Sequence, residues 1–227
     1  MKKINWTVII IVIVLLASFI GYGKSVLKQK TNVQNDDCQG KTLQNTTIKD
    51  VEPLGNTTST NILEIYSDYQ CPFCARYYVE TIKPFIKDYV DTGKIKLIYH
   101  DIAFEGERSQ WAAEAGRCAN DQGKFWEYHD KIMSTRYETN NTQVYDKNNL
   151  VQVAKDLGLD ECEFTLCLNS GKYTKTIQDE TQAALNKIKG TPTSFLNGQI
   201  LANSKGESLG AMNYEALQTQ INKIITQ

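Results

Sequence analysis

The chain lacks an excess of either charge, because its 227 residues carry a formal net charge of −1 and its pI is near 6.2. It also lacks a run of basic residues, so the sequence gives no indication of a nucleic-acid partner. No internal repeat is present. A chain of this length predicts one sizeable domain, with residues left over for targeting.

Histidine is scarce, at two residues in the whole chain. His100 ends a predicted strand and His129 lies on an apolar helix face. These positions favour packing over metal ligation for both side chains, with ligation as the alternative. We therefore predict no metal site.

Cysteine, in contrast, is present at six positions. In an oxidising compartment an even number predicts one redox pair plus structural bridges. In a cytosol the same residues would be metal ligands or reduced thiols. The role of the cysteines therefore depends on where the chain is located.

The N-terminal segment favours the oxidising compartment. Residues 4–23 carry no charge, and a helix of that length spans about 30 Å, the thickness of one bilayer core. A cleaved signal peptide is the alternative, with Gly21-Tyr22-Gly23 as a weak cleavage site. We predict a membrane anchor over residues 1–23, with the domain on the extracytoplasmic side of the cell membrane. After cleavage the domain would be secreted.

Residues 24–59 separate this segment from the rest of the chain. They are rich in Asn, Gln, Thr, Lys and Asp and poor in apolar side chains. That composition predicts a flexible polar tether. Residues 60–227 then form the domain.

Strand and helix signals follow one another along the domain. Residues 61–67 predict a strand, and residues 95–102 predict a second strand parallel to it across a helix. A helical block covers residues 105–175. Asn197-Gly198 lies between two short apolar runs and predicts a two-residue hairpin, and an amphipathic helix begins at Tyr214. The order β-α-β, helical block, β-β-α predicts an α/β fold.

The chemistry centres on Cys71-Pro72-Phe73-Cys74, which follows the first strand and begins a helix. Unpaired backbone N–H groups and the positive end of the helix dipole favour a thiolate at Cys71. Cys74 lies one turn further on, where it can resolve a mixed disulfide. Pro72 suits the first helical position because no N–H is needed there. The motif predicts thiol–disulfide exchange, with Cys71 as the exposed sulfur.

Four blocks of the sequence share the order of a known family: Tyr66 to Cys74, Gln122 to His129, Cys167 to Tyr173, and Gly190 to Thr193. From about residue 61 to the C terminus the chain resembles the DsbA family of thiol:disulfide oxidoreductases, in particular its membrane-anchored bacterial branch. The resemblance implies a thioredoxin-like fold, β-α-β then β-β-α, with an inserted all-helical subdomain at about residues 105–175.

The resemblance also implies site residues. Pro192 is expected to be cis and to form a wall of the substrate site, with the Thr191 backbone binding substrate. Family members often carry a buried Glu on the first strand as a proton acceptor. Here Ile65 occupies that position. Glu64, one residue earlier, is a candidate proton relay, although a shift of one residue turns a strand side chain to the other face.

Four cysteines lie outside the motif. Cys118 and Cys167 each lie on an apolar helical stripe, and an oxidising compartment favours a bridge between them over two buried thiols. A Cys162–Cys167 bridge is disfavoured, because five residues of helix separate the two by about 7.5 Å along the axis. Cys162 either pairs with Cys38 or stays free.

We predict an extracytoplasmic dithiol oxidase that introduces disulfides into exported, cysteine-containing proteins. A substrate thiolate attacks Cys71, and a second substrate thiol resolves the mixed disulfide, leaving Cys71 and Cys74 reduced. The resemblance implies reoxidation by a quinone-linked membrane protein of the DsbB or VKOR type. No cofactor is expected beyond the Cys71–Cys74 disulfide.

Other functions remain open at this point. A disulfide reductase or isomerase of the same fold would run the same exchange in another direction. A non-catalytic anchored binding module would use the motif as a structural staple. Half of a zinc site, completed by Cys162 and Cys167, is a further alternative that the strand–motif–helix context disfavours.

Overall fold

The structure is a computed structural model that describes residue 38, residues 40–202, residue 206 and residues 208–225. Its strands are β1 (Ile62–Ser67), β2 (Lys96–Asp101), β3 (Thr193–Leu196) and β4 (Gln199–Ile200). Between β1 and β2 lie four consecutive helical segments, α1 (Pro72–Tyr77), π1 (Tyr78–Ile82), α2 (Lys83–Phe85) and π2 (Ile86–Val90). Further helices are α3 (Glu107–Asp121), α4 (Phe125–Thr139), a 3₁₀ turn (Thr142–Tyr145), α5 (Lys147–Asp156), α6 (Glu161–Ser170), α7 (Thr174–Ala184) and α8 (Tyr214–Ile225).

The four strands form one sheet in the order β2-β1-β3-β4. β1 pairs in parallel with β2 and antiparallel with β3, so both of its edges are occupied. Leu63 and Ile65 point from β1 into the main core, whereas Tyr66 packs on the opposite face with Ile102 and α7 residue Ala184. A central strand buried on both faces accounts for the apolar β1 sequence. The predicted α/β order, β-α-β followed by a helical block and β-β-α, is confirmed.

The predicted helical insertion at about residues 105–175 corresponds to α3 through α6, which lie between β2 and β3 in the chain. Asp160 caps α6, because its side chain accepts a hydrogen bond of 2.8 Å from the Glu163 N–H. A left-handed residue, Gly171, ends the same helix. α7 (Thr174–Ala184) follows the insertion and leads to β3, and its residue Ala184 packs on the sheet face that carries Tyr66.

The hairpin between β3 and β4 turns at Asn197 and Gly198, as predicted. Both residues have positive φ, 51° and 77°, which a type I′ turn requires. The Asn197 side chain also accepts a 2.8 Å hydrogen bond from the Ile62 N–H. This contact fixes β3 against the start of β1 and so sets the position of the Thr191–Pro192 segment that precedes β3.

The described part of the predicted tether packs against the domain rather than apart from it. Leu54 and Leu97 exchange backbone hydrogen bonds of 2.9 and 3.0 Å, so residues near Leu54 cover the outer edge of β2. The Trp126 indole N–H donates to the Glu52 carbonyl at 3.2 Å. These contacts satisfy backbone groups and partly bury Leu54, which explains the difference from the composition-based prediction.

The predicted membrane anchor over residues 1–23, and the tether as far as residue 37, lie outside the described residues. Among the residues that are described, no helix has both the length and the apolar character needed to cross a bilayer.

Candidate active site

Cys71 and Cys74 lie where β1 passes into α1, at the C-terminal edge of the central strand. Cys71 is the N-cap of α1, and Pro72 occupies the first helical position. The Cys71 N–H donates to the Asp68 carbonyl at 3.2 Å, and the Cys71 carbonyl accepts from Cys74 N–H at 3.1 Å. The motif therefore begins the helix at the predicted residue, with both sulfurs in its first turn.

The Thr191–Pro192 peptide bond is cis, and the Thr191 carbonyl faces the first sulfur. The Cys71 thiol donates to this carbonyl across 3.6 Å. Thr191 and Pro192 also line a cavity of about 510 Å³ beside the motif. The structure thus brings the motif and the Thr-Pro segment together in one site.

Cys71 is less accessible than the sequence predicted. It exposes 4% of its surface, and Cys74 exposes 1%. The expectation of an exposed sulfur is wrong in degree, because the Thr191 carbonyl lies against the Cys71 thiol. The reactive sulfur is therefore largely covered, and the Thr191 carbonyl lies beside it.

The two thiols have opposite acidities. The hydrogen bond from the Cys74 side chain lowers the pKa of Cys71 to about 6, against the effect of burial, and the Cys74 and Phe73 backbone N–H groups act in the same direction. Burial raises the pKa of Cys74 well above 9.0, and the hydrogen bond with Cys71 adds to this increase. At neutral pH Cys71 is therefore mainly thiolate, whereas Cys74 is a thiol.

Phe73 presents an apolar surface beside the reactive sulfur. Its side chain is 56% exposed, although it is a large apolar residue. The Arg76 guanidinium carbon lies 5.3 Å from the centre of the Phe73 ring, a cation–π contact that restrains it. An exposed aromatic ring next to a thiolate can contact the apolar part of an incoming peptide.

Asp68 fixes the loop before Cys71, a role that sequence reasoning missed. The side chain is fully buried, and its carboxylate accepts hydrogen bonds of 2.7–3.0 Å. The donors are the backbone N–H groups of Gln70, Phe104 and Glu105 and the Ser109 hydroxyl. An acidic residue immediately after an apolar strand was the available signal.

Glu64 lies on the opposite face of the sheet from the cysteines, so the candidate proton-relay role is not supported. Its carboxylate is 3.2 Å from His100 Nε2, and its side chain remains 29% exposed. His100 in turn stacks on Tyr66, which belongs to the face that packs against α7. The physical reason is strand alternation: Leu63 and Ile65 point toward the cysteines, and Glu64 points away.

A row of buried polar side chains lies on the face toward Cys74. Ser67 and Tyr99 are both buried. Asp101, fully buried, is paired in register with Ser67. Burial raises the pKa of Asp101 to about 7, although the Arg117 guanidinium opposes the increase. This row was not recognised from the sequence.

The four cysteines outside the motif are paired in the structure. Cys118 and Cys167 form a disulfide between α3 and α6, with a Cα–Cα distance of 5.8 Å. Cys38 and Cys162 form a second one, with a Cα–Cα distance of 5.5 Å. Because Cys162 and Cys167 are bonded elsewhere, neither can complete a zinc site with the motif. Within the described residues no group of three or more His, Cys, Asp or Glu side chains could hold a metal ion.

His129 is a packing residue, as the sequence indicated. It is fully buried, and both ring nitrogens lack a hydrogen-bond partner. The surrounding rings are those of Tyr69, Tyr78, Tyr99, Phe125 and Trp126, with centroids 4.1–6.1 Å away. Burial lowers the pKa of His129 to about 3, so the imidazole is neutral at physiological pH.

Comparison with known proteins gives a consistent result. A family model described as Thioredoxin matches residues 46–223. A Rickettsia felis protein, provisionally assigned as a protein-disulfide oxidoreductase, is 32% identical over 173 residues, which cover 75% of this chain and 61% of that protein. Disulfide bond formation protein D of Bacillus subtilis is 28% identical over 179 residues, 77% of this chain and 78% of that protein. The match thus spans less than two thirds of the Rickettsia relative.

Solved structures share the fold. BdbD from Bacillus subtilis in its oxidised form has a TM-score of 0.67 at 20% identity, covering 77% of this chain and 92% of that one. The α-DsbA1 protein of Wolbachia pipientis has a TM-score of 0.66 at 19% identity, covering 79% and 93%. Identities this low bear on the fold alone.

Proposed function

The chain belongs to the thioredoxin family, among the DsbA-type thiol:disulfide oxidoreductases, and on that premise we propose that it is a dithiol oxidase acting outside the cytoplasm. In the oxidised enzyme a substrate thiolate attacks Cys71 and breaks its bond to Cys74. A second substrate thiolate then attacks the mixed disulfide. The substrate leaves with a disulfide, and Cys71 and Cys74 keep the two electrons as a dithiol.

The observation that carries this proposal is the opposite acidity of the two thiols. A Cys71 pKa of about 6 stabilises the reduced form as a thiolate, and a disulfide whose reduced form is stabilised is an oxidant. The same low pKa makes Cys71 a good leaving group when the second substrate thiol attacks. Thioredoxin, a reductant, has a corresponding pKa near 7, so its reduced form is stabilised less than a pKa of about 6 would allow.

The location is supported by the structural disulfides. Cys118–Cys167 and Cys38–Cys162 persist only where thiols are not kept reduced, which favours an extracytoplasmic compartment. An apolar segment over residues 4–23 would tether the domain to the cell membrane. Reoxidation would then fall to a quinone-linked membrane protein of the DsbB or VKOR type, as the family resemblance implies. No cofactor is needed beyond the Cys71–Cys74 disulfide.

The substrates would be unfolded, cysteine-containing segments of exported proteins. Thr191 offers a backbone carbonyl beside Cys71, and Pro192 lacks an N–H, so an extended peptide can pair there without competition from the chain itself. The cavity of about 510 Å³ that Thr191 and Pro192 line can take a neighbouring side chain. Phe73 provides an apolar contact on the other side of the sulfur.

The redox potential of the Cys71–Cys74 pair in the full chain tests the direction. We expect a value well above that of thioredoxin, which is about −270 mV. A value near that of thioredoxin, together with a reduced pair in cells, would favour the reductase or isomerase and overturn the oxidase.

Trapping with Cys74→Ala tests the chemistry itself. In this variant the Cys71 thiolate can attack a disulfide of an exported protein and release one of its sulfurs as a thiolate, and the mixed disulfide should accumulate because Cys74 is no longer there to attack Cys71 and release the protein. The matched control is the double variant Cys71→Ala/Cys74→Ala, which keeps the fold and both structural disulfides but should trap nothing. Equal amounts of trapped protein in both variants would contradict a role for Cys71 and support the non-catalytic binding module.

A further inference from the structure

The cavity beside the reactive sulfur is partly apolar. Thr191 and Pro192 line it, and the Thr191 carbonyl is the group that accepts from the Cys71 thiol across 3.6 Å. Ile188, which is 4% exposed, and Ile200, which is 38% exposed, line the same cavity of about 510 Å³. A peptide whose cysteine is bonded to Cys71 can therefore place its neighbouring residues over this cavity.

The same cavity carries two cations. Lys187 and Lys189 line it, one before and one after Ile188 in the chain, and both side chains are exposed. Within the described part of the chain, neither lysine takes part in an ion pair or a hydrogen bond. The described residues that line the cavity include no acidic side chain. This lining therefore carries two positive charges and no negative one.

The last acidic residues of α7, the helix that leads to this segment, are engaged by other cations. Asp179 pairs with Lys175 at 2.6 Å. Glu180 pairs with Arg117, also at 2.6 Å. Neither carboxylate is therefore available to neutralise the lysines at the cavity.

The sheet supplies one further carboxylate near Lys187. Glu64 is bound to His100 at 3.2 Å. Burial lowers the pKa of His100, and the Lys187 charge acts in the same direction, so Lys187 faces this pair. Because Glu64 is bound to His100 and forms no ion pair with Lys187, the lysine keeps an exposed ammonium group at the cavity.

The other side of the sulfur does not share this excess of charge. Phe73 is exposed there, and the Arg76 guanidinium lies over its ring at 5.3 Å. Glu80 follows four residues after Arg76 and accepts a hydrogen bond from Tyr137. One cation and one anion offset each other on this side, so the positive excess lies on the side of the cavity.

We propose that Lys187 and Lys189 select substrate segments that carry Asp or Glu close to the reacting cysteine. The inference rests on the proposed exchange at Cys71 and names the class of substrate that this exchange favours. Lys189 lies two residues before Thr191, at most about 7 Å along the chain. An extended peptide advances about 3.3 Å per residue, so the carboxylate is expected about two or three residues from the substrate cysteine.

The charges act on the approach of the substrate and on the mixed disulfide. The substrate thiolate forms an S–S bond with Cys71, and Cys74 leaves with the electron pair of the broken Cys71–Cys74 bond. Complementary charge speeds the encounter, and salt screens exposed charges. For two exposed pairs we expect an advantage of about 3- to 10-fold at low ionic strength.

The test compares two peptide monothiols as reductants of the Cys71–Cys74 disulfide in the full chain. One peptide carries Asp two residues before and two residues after its single cysteine, and the other carries Asn at the same positions. Each rate constant is expressed per peptide thiolate, because a nearby carboxylate raises the pKa of a thiol. In the native protein the ratio of the Asp to the Asn rate constant should be about 3 to 10 at low ionic strength and should approach 1 in about 0.5 M salt.

The variants assign this ratio to the two lysines. Lys187→Gln/Lys189→Gln should bring the ratio close to 1, and Lys187→Glu/Lys189→Glu should invert it. Structural damage alone would lower both rate constants together and leave the ratio unchanged. The matched control is Lys155→Gln/Lys175→Gln, which removes two lysines with 57% and 84% exposed side chains that do not line the cavity and should keep the native ratio.

The possible outcomes separate this inference from the function on which it rests. A native ratio near 1, a ratio independent of salt, or a ratio that persists in Lys187→Gln/Lys189→Gln would overturn the proposal. A ratio that the control variant abolishes equally would also overturn it, since the selection would then come from the net charge of the protein. A native disulfide that neither peptide reduces would instead refute the proposed function.

Discussion

Replacing His129 should remove a large part of the acid sensitivity of the fold. Its imidazole is neutral and buried among aromatic rings with a pKa of about 3, whereas an unfolded chain gives histidine its usual value near 6.5. Between these values the unfolded state binds one more proton than the folded state. The free energy of unfolding therefore falls as pH decreases from about 6.5 toward 3.

The size of the effect follows from the two pKa values. Within that window one proton is worth about 1.4 kcal/mol per pH unit, so His129 should lower the free energy of unfolding by about 2 kcal/mol between pH 7 and pH 5. For a domain of this size that corresponds to a fall of roughly 4–8 °C in the melting temperature. Asp101 and other buried carboxyls with raised pKa values act in the opposite sense, so only a comparison with a variant isolates His129.

The assay is urea unfolding of the full chain at pH 7 and pH 5, with both structural disulfides intact. In the native protein the free energy of unfolding should fall between pH 7 and pH 5. In His129→Phe and in His129→Leu this fall should be smaller by about 2 kcal/mol. Any packing cost of the new side chain is the same at both pH values and cancels. The chain has one other histidine, so His100→Gln is the matched control and should keep most of the native pH dependence. If the free energy of unfolding falls equally between pH 7 and pH 5 in the native protein and in both His129 variants, the low pKa assigned to His129 is refuted.

Further predictions concern the site and the helical block. Ultraviolet absorbance of the thiolate in the reduced protein should titrate with a midpoint near pH 6, and Cys74→Ala should raise that midpoint because the hydrogen bond to Cys71 is lost; an unchanged midpoint would contradict this cause. Asp68→Asn should lower the free energy of unfolding by about 2 kcal/mol, since the N–H groups of Phe104 and Glu105 lose a charged acceptor. A decrease of less than about 0.5 kcal/mol in urea unfolding would contradict the role of Asp68 in fixing the loop before Cys71. Asp160→Ala should cost about 1 kcal/mol through loss of the α6 cap, whereas Glu163→Ala keeps the capping acceptor and should cost less in the same assay.

Local patterns were sufficient to predict the parts of the site that lie in continuous stretches of sequence. The helix start at Pro72 and the turn at Asn197-Gly198 depend on neighbouring residues alone, and both lie where the sequence placed them. The Thr191–Pro192 segment was assigned by family resemblance, and the structure brings its carbonyl to Cys71.

What the sequence did not indicate depends on tertiary packing. The burial of Cys71 results from Thr191, which is 120 residues away along the chain. The buried position of Asp101 was not indicated either, because it depends on the strand register that places Asp101 beside Ser67 and on α3, which brings Arg117 to it. Strand alternation held a usable signal, since Leu97, Tyr99 and Asp101 lie on the same face and that face is buried.

The packed segment before β1 shows a limit of composition. Its polar side chains indicated a tether, but its backbone groups pair with the domain, and one residue, Leu54, extends the sheet. Composition reports the affinity of side chains for water and carries little information on where backbone N–H and C=O groups find partners.

Both structural disulfides end on α6, and this has a consequence for how the protein is made. Cys162 bonds α6 to Cys38, and Cys167 bonds the same helix to α3. The motif cysteines, Cys71 and Cys74, are not part of these bonds and must stay free to exchange. A chain with six thiols can form many wrong pairings, and the two structural bonds join residues that are 124 and 49 positions apart in sequence. The correct pairing of these four cysteines therefore depends on an oxidant and on selection against other pairings. Under the proposed function, the protein would need for its own maturation the same oxidative chemistry that it performs on its substrates.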